Sequence, residues 1–199
     1  MADDVEARLT RALGERAYDR VATLAVEAYG AELHGFLLGT LGNPADAGDV
    51  FSQVMERFWR GLPRFAGRCS VRTWLYLLAR HAEVDHRRSP WHGARRTGDA
   101  QLDEIVDRVR SQTPPWQRTE VKDRWSAVRA ALPPDDRALL VLRVDRDLAW
   151  ADIARITLGD PEPDTAALDR ESRRLRKRFQ LLKERLRAEV RAAAREAAR

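Results

Sequence analysis

The stretch CSVRTWLYLLARHAEVDHRRS, residues 69–89, decides how the first half of the chain folds. Its apolar side chains recur every three or four residues, which predicts an amphipathic helix with one face in a hydrophobic core. The apolar positions are Val71, Trp74, Leu75, Leu78 and Ala82. The same stretch places Tyr76 between Arg72 and Arg80 on another face, with Arg87 further along. That face is predicted to be exposed to solvent. Solubility would explain the arginines, but it does not explain an aromatic ring among them.

The rest of the chain is predicted to form further amphipathic helices, separated by breaks that contain glycine and proline. Ser70 is the predicted N-cap of the helix described above. The predicted helices cover about residues 16–41, 45–61, 70–88, 102–109, 118–132, 133–147 and 149–158, and a long one begins near residue 165. Few segments resemble strands. The predicted fold class is therefore all-α, with two small helical domains over residues 1–92 and 118–199 and a linker over 93–117.

Positive charge is concentrated in two blocks of the sequence. The chain has 36 Lys and Arg residues against 31 acidic ones, a net charge of +5. Residues 68–98 carry seven basic and two acidic side chains, and residues 165–199 carry twelve and five. Because the rest of the chain is acidic, these two basic blocks indicate two surfaces that bind a polyanion. The alternative is that each block is simply an Arg-rich helix surface exposed to solvent.

Several classes of protein are disfavoured by what the sequence lacks. Cys69 is the single cysteine, so no disulfide framework forms within the chain and a reducing cytoplasm is expected. No stretch approaches 18 apolar residues, so no membrane insertion is expected, and no secretory signal is visible. The histidines have no metal-ligand spacing, and no phosphate-binding or nucleophile motif appears. Neither an enzyme nor a metal or other cofactor is therefore expected.

Two adjacent segments, residues 46–65 and 69–89, resemble bacterial RNA polymerase sigma factors of the sigma-70 family, in particular the small two-domain extracytoplasmic-function (ECF) group. That group shows a helix of the form D-A-x-D-Φ-x-Q-x-x-Φ-x-x-x-W, a loop, and a helix like S-Φ-R-T-W-L-Y-x-Φ-A-R-N-x-x-x-D-x-x-R-R. The matching residues are Asp46, Ala47, Asp49, Val50, Trp59, Ser70, Val71, Arg72, Thr73, Trp74, Leu75, Tyr76, Ala79, Arg80, Asp85, Arg87 and Arg88. The resemblance implies a region 2-like domain over 1–92 and a region 4-like helix-turn-helix domain over 118–199.

For the helix over 70–88 the resemblance implies contact with the promoter −10 element. The residues implied are Arg72, Tyr76, Arg80, His81, Arg87 and Arg88, and His81 stands where the family has an asparagine. Arginines would neutralise phosphates, and the loop over 65–69 would form one wall of a pocket for an unstacked base. Trp74 is expected in the core, whereas DNA contact is preferred over core packing for Tyr76 and Arg80.

For the helix over 45–61 the resemblance implies docking on the largest subunit of core RNA polymerase. The candidate residues are Asp46, Asp49, Gln53, Glu56 and Arg57, which are predicted to face away from the core. An acidic, amphipathic helix face is also what ordinary solvation produces. An anti-sigma factor is a further partner that the resemblance implies.

The last two helices have the pattern of a helix-turn-helix with a basic second helix, which suits binding in the major groove of DNA. The resemblance implies that the DNA bound there is the −35 element. The candidate contacts are Arg173, Arg174, Arg176, Lys177 and Arg178. Two alignments with the family are open, and the preferred one extends the turn over residues 160–172. The other needs no insertion and places Asp169 and Glu171 where the family has basic residues. An Arg-rich helical hairpin that binds a partner protein is the alternative to DNA binding.

The predicted function is that of an RNA polymerase sigma factor, which directs promoter recognition and assists DNA melting. The alternative is a sigma-like helical DNA-binding regulator or partner-binding protein that does not itself initiate transcription.

Overall fold

The computed structural model describes residues 2–88, 100–112 and 131–197. Within these ranges the chain forms eight α-helices and no strand, which confirms the all-α fold class. The helices are α1 (Ala2–Gly14), α2 (Tyr18–Leu41), α3 (Pro44–Gly61), α4 (Val71–Arg88), α5 (Ala100–Gln112), α6 (Pro134–Leu140), α7 (Trp150–Leu158) and α8 (Thr165–Ala197). The linker segments 93–99 and 113–117, and nearly all of the helix predicted over 118–132, lie outside the described residues.

Helix α2 is the centre of the N-terminal helices, and α1, α3 and α4 all pack against it. It ends at Gly42, whose left-handed φ of 76° suits a residue without Cβ. The next helix begins almost at once, because the Asn43 side chain accepts a hydrogen bond from the Ala45 amide at 2.9 Å and Pro44 occupies the first turn. This tight connection makes α3 antiparallel to α2.

Helix α1 was not predicted from the sequence. Its apolar residues Val5, Leu9, Ala12 and Leu13 recur at helical spacing, and its anchors Leu9 and Ala12 are 0% and 1% exposed. The helix is short, so its stability depends on tertiary packing.

Helix α4 follows its sequence pattern closely. The Ser70 hydroxyl accepts a hydrogen bond from the Thr73 amide at 3.0 Å, which confirms the predicted N-cap. Val71, Leu75 and Ala82 are buried in the core, as the apolar stripe predicts.

Helix α5 lies within the predicted linker and confirms the short helix expected there. Its residues Ile105 and Val106 are buried, and it packs mainly against α2. A Cβ added at Gly30 of α2 would lie 3.2 Å from a methyl group of Val109, so glycine allows the two helices to approach closely. Part of the linker is therefore docked on the N-terminal helices.

The C-terminal helices are α6, α7 and α8. A π-helical turn over Val141–Asp145 continues α6, and the left-handed Gly159 (φ 71°) ends α7 as predicted. Helix α8 buries Leu175, Phe179 and Leu182 against its neighbours.

The N-terminal and C-terminal helices pack directly on each other. Their buried apolar residues form one continuous cluster, in which α4 lies against α7 and α2 against α6. A Cβ at Gly159 would meet the ring of His81, and the left-handed backbone there (φ 71°) favours glycine. As a result, the C-terminal helices cover part of the side of α4 that was predicted to face DNA.

Candidate nucleic-acid interface

The start of α4 is fixed by a carboxylate from α1. Glu6 Oε2 accepts a hydrogen bond from the Val71 amide at 3.1 Å, and Oε1 accepts from the Arg72 amide at 3.1 Å and from the Tyr29 hydroxyl at 2.9 Å. Burial, and then this hydrogen bond to Glu6, raise the pKa of Tyr29. Glu6 therefore satisfies two amides that no residue within α4 can reach. Sequence reasoning missed it, since an acid far along the chain gives no local capping signal.

Arg72 is held in a bidentate pair. Its Nε and Nη2 donate to the Glu32 carboxylate at 2.7 and 3.0 Å, and Nη2 also donates to the Arg146 carbonyl at 3.1 Å. The hydrogen bonds to Glu32 raise the pKa of Arg72. The Arg72 guanidinium is therefore hydrogen-bonded both to α2 and to the segment between α6 and α7.

Tyr76 does not lie on the outside of α4. It is 0% exposed, and its ring packs edge-on against Phe36 with centroids 5.3 Å apart. Burial, and then the negative charge of Glu32, raise the pKa of its phenol. The prediction of an outer position for Tyr76 is wrong here, because the helix is covered on more than one side and periodicity reports only one buried face.

Two predicted DNA-contacting arginines share one buried carboxylate. Glu83 is 0% exposed and accepts hydrogen bonds from both Arg80 and Arg87, at i−3 and i+4 on the same helix. Arg80 also pairs with Asp135 at the start of α6, and its side chain is only 15% exposed. Burial pulls the pKa of Arg80 down, but the carboxylates of Glu83 and Asp135 outweigh it and the pKa is raised. Arg80 is therefore a permanent cation in a largely covered position.

His81 and Arg88 are exposed and line a cleft of about 490 Å³ between α4 and the C-terminal helices. Arg57, Arg174 and Arg178 line the same cleft, over an apolar floor contributed by α6 and α7. The cleft brings together arginines from both of the basic blocks that the sequence predicts.

The loop before α4 carries an aromatic stack. Phe65 lies parallel to Trp74 with centroids 4.4 Å apart, and Trp74 also contacts Phe58 at 5.1 Å. Trp74 thus packs against the core as predicted, but it is only partly buried. Burial raises the pKa of the neighbouring Cys69 thiol to about 11, which disfavours the reactive thiolate.

The polar face of α3 is more covered than predicted. Glu56, expected to face away from the core, is 6% exposed and pairs with Arg60 at 3.0 Å, so that expectation is wrong. The face is covered because α4 runs beside it: Arg57 pairs with Asp85 at 2.9 Å. The remaining candidates Asp46, Asp49 and Gln53 are half-buried.

The basic residues of α8 fall into two groups. Arg173, Arg174, Arg176 and Lys177 are exposed, although Arg174 also pairs with Glu171 at 2.7 Å along the helix. Arg178 instead turns inward, with its Nε 2.6 Å from Asp136 Oδ1. The exposed group remains accessible to a polyanion.

The turn between α7 and α8 is short. It runs from Gly159 to Asp164, whose side chain accepts a hydrogen bond from the Ala167 amide at 2.7 Å and so caps α8. Residues 165–172 are helical, and the prediction of a turn extended over 160–172 is wrong. Arg170, which the sequence analysis did not select, lies near the start of α8 on the same helix face as Arg173 and Lys177.

The described ranges 2–88, 100–112 and 131–197 contain no cluster of His, Cys, Asp or Glu with the arrangement of a metal site. No helix of that part of the chain is long and apolar enough to cross a membrane.

Comparison with known proteins finds a family model and relatives for this chain. Residues 25–92 match the family model of sigma-70 region 2, a span that includes most of α2 and all of α3 and α4. The chain is 28% identical over 152 residues to a probable RNA polymerase sigma-C factor of Mycobacterium bovis, covering 71% of this chain and 80% of that protein. The same identity and coverage hold for the ECF RNA polymerase sigma factor SigC of Mycobacterium tuberculosis.

Proposed function

Since residues 25–92 of the chain are a sigma-70 region 2 domain and the chain is a distant homologue of an ECF sigma factor, we propose that it is an RNA polymerase sigma factor. It directs core polymerase to a subset of promoters in the cytoplasm and assists DNA melting, without being an enzyme itself. The observation that carries the proposal is that the matched span includes all of α4, the helix that carries Arg72, Arg80, Arg87 and Arg88.

At the −10 element, α4 and the loop before it are the proposed contact. Arg72, Arg80 and Arg87 carry the charge that fits the phosphates of a separated strand, once they leave the carboxylates that hold them in this structure. Phe65 and Trp74 form a half-exposed aromatic stack beside the loop, which suits an unstacked base better than the buried Tyr76 does. His81 and Arg88 are exposed beside them.

Toward core polymerase, the proposed docking residues are those of α3 that keep some exposure. Asp46, Asp49, Gln53 and Arg57 qualify, whereas the buried Glu56 is a structural residue. An anti-sigma factor remains a proposed further partner.

At the −35 element, α7 and α8 are the proposed helix-turn-helix. Such motifs contact base edges with the N-terminal residues of the second helix. Arg170, Arg173 and Lys177 follow one face from that end and are better placed than Arg174 and Arg178, which are ion-paired. The division into domains over 1–92 and 118–199 remains part of the proposal.

The test is run-off transcription with core polymerase and the full chain. Promoter-specific transcripts are expected, and Arg88→Glu is expected to reduce open-complex formation, read by permanganate reactivity of unstacked thymines, while core binding persists. Arg20→Glu on α2, 60% exposed, is the matched control. Core binding without any transcript would favour the rival, a sigma-like regulator that does not initiate transcription.

A further inference from the structure

We propose that Glu6 is a positioning residue for promoter melting. Its carboxylate, carried by α1, fixes the first turn of α4 and with it the Phe65–Trp74 stack, the proposed support for an unstacked base. Glu6 acts through α4 rather than on DNA. This inference rests on the proposed function, because it concerns how the proposed −10 surface is held in shape.

The first three amides of α4 all have acceptors, and two of these come from Glu6. The amides of Val71 and Arg72 each donate to one of its carboxylate oxygens at 3.1 Å. The Thr73 amide donates to the Ser70 hydroxyl at 3.0 Å. A helix cannot satisfy its first amides with its own carbonyls, so acceptors must come from outside it. The start of α4 therefore depends on a side chain of α1.

The Glu6 carboxylate is itself held in place. Its Oε1 also accepts a hydrogen bond from the Tyr29 hydroxyl of α2 at 2.9 Å. On α1, Leu9 lies three residues further along and is 0% exposed in the core. The helix dipole also favours a negative charge at the N-terminus of α4. Glu6 is therefore a fixed acceptor rather than a mobile surface acid.

The aromatic stack is attached to the turn that Glu6 fixes. Trp74 is the fourth residue of α4, and its ring is stacked on Phe65 with centroids 4.4 Å apart. A Cβ added at Gly61 would lie 2.9 Å from the Trp74 ring, so the ring is seated closely against the end of α3. If the first turn of α4 unwinds, Trp74 leaves this seat, and the stack no longer offers one ordered face to a base.

The proposal predicts an effect opposite in sign to that of simple electrostatics. Removing a carboxylate from a DNA-binding protein strengthens its attraction to phosphates. Loss of the positioning contact instead lowers the fraction of molecules whose stack is ordered, and the apparent affinity for a base falls by that fraction. Replacing Glu6 by an uncharged residue therefore separates the two effects.

The test measures binding of holoenzyme, formed from core polymerase and the full chain, to a fluorescent oligonucleotide by anisotropy. The oligonucleotide is the single non-template strand over the −10 element of a promoter that gives run-off transcripts. Glu6→Ala is expected to weaken binding about five- to tenfold, with an unchanged salt slope because no phosphate contact is lost. Asp4→Ala removes the same charge from an exposed position of α1 and is expected to change binding less than twofold. Equal binding by the two variants would overturn the positioning role.

Further variants distinguish positioning from a general loss of structure. Tyr29→Phe keeps the charge of Glu6 and removes only its anchor, so it is expected to weaken oligonucleotide binding about twofold. Val26→Ala, at a buried position of α2, is expected to lower stability without weakening oligonucleotide binding. Affinity for core polymerase is expected to stay unchanged in all of these variants. A parallel loss of core binding in Glu6→Ala would show a structural role only and would reject the proposal.

Transcription separates the failure of this proposal from that of the proposed function. Absence of promoter-specific transcripts from wild-type holoenzyme rejects the proposed function. Transcripts from the wild type, together with oligonucleotide binding by Glu6→Ala as tight as that of the wild type, reject the positioning role alone.

Discussion

At the scale of the residue, Glu6 shows how one side chain can position a functional helix from outside it. Its carboxylate caps two α4 amides and also accepts from Tyr29, so α1, α2 and α4 meet at a single group. The residues it fixes are the first of α4, directly after the loop that carries the aromatic stack.

Glu6→Ala is expected to lower the free energy of unfolding by about 1–3 kcal/mol, because it leaves two amides and a hydroxyl without their acceptor. Glu6→Gln keeps one acceptor oxygen and should cost less. Urea unfolding followed by circular dichroism measures both, with Glu27→Ala on the exposed side of α2 as control. A loss for Glu6→Ala no larger than for that control would show that the cap is not stabilising.

At the scale of the element, every helix of the described residues except α1 was predicted from the sequence. Helices α2, α3 and α4 begin and end close to the predicted positions, since glycine, proline and capping residues mark their ends. Helix α1 was missed although Val5, Leu9, Ala12 and Leu13 have helical spacing, because this apolar stripe is short and charged residues surround it. The start of α8 at Thr165 was predicted, but the preferred alignment assigned residues 165–172 to an extended turn; they are helical, so the N-terminal end of the helix lies earlier than that alignment has it.

The position of that end makes a prediction for promoter binding. Arg170→Ala with Arg173→Ala is expected to lower the slope of log affinity against log salt by about two, because each lost phosphate contact lowers it by about one. Arg176→Ala with Arg185→Ala removes equal charge and should have the smaller effect. Holoenzyme binding to a promoter with its upstream element, titrated with salt, gives both slopes. A larger effect of the second pair would restore the alignment with an extended turn.

At the scale of the whole molecule, the sequence could not predict how the two helical groups meet. An apolar stripe shows that a face is buried but not which element covers it, so the burial of Tyr76 and Arg80 was not foreseen. In the structure, one hydrophobic cluster contains residues of both helical groups. The candidate DNA-binding arginines were found from the sequence, but their protein partners came from tertiary packing.

A compact free chain is expected in solution. For 199 residues packed as one body, the radius of gyration should be about 16 Å. Small-angle scattering of the wild type measures this. The Asp135→Asn, Asp136→Asn variant should give a larger value with a broader distance distribution, because these acids of α6 pair with Arg80 of α4 and Arg178 of α8. A wild-type radius well above roughly 20 Å would contradict the direct packing of the N-terminal helices on the C-terminal ones.

Two of the arginine contacts between the helical groups end on main-chain oxygens, those of Thr40 and Arg146. Every amino acid brings the same carbonyl, so mutational drift at positions 40 and 146 does not delete these acceptors. A substitution can therefore remove only the arginine that donates each of these hydrogen bonds. Among diverging descendants of this chain, loss of these two junctions should therefore be traceable to Arg72 and Arg137 rather than to the sites on which they rest.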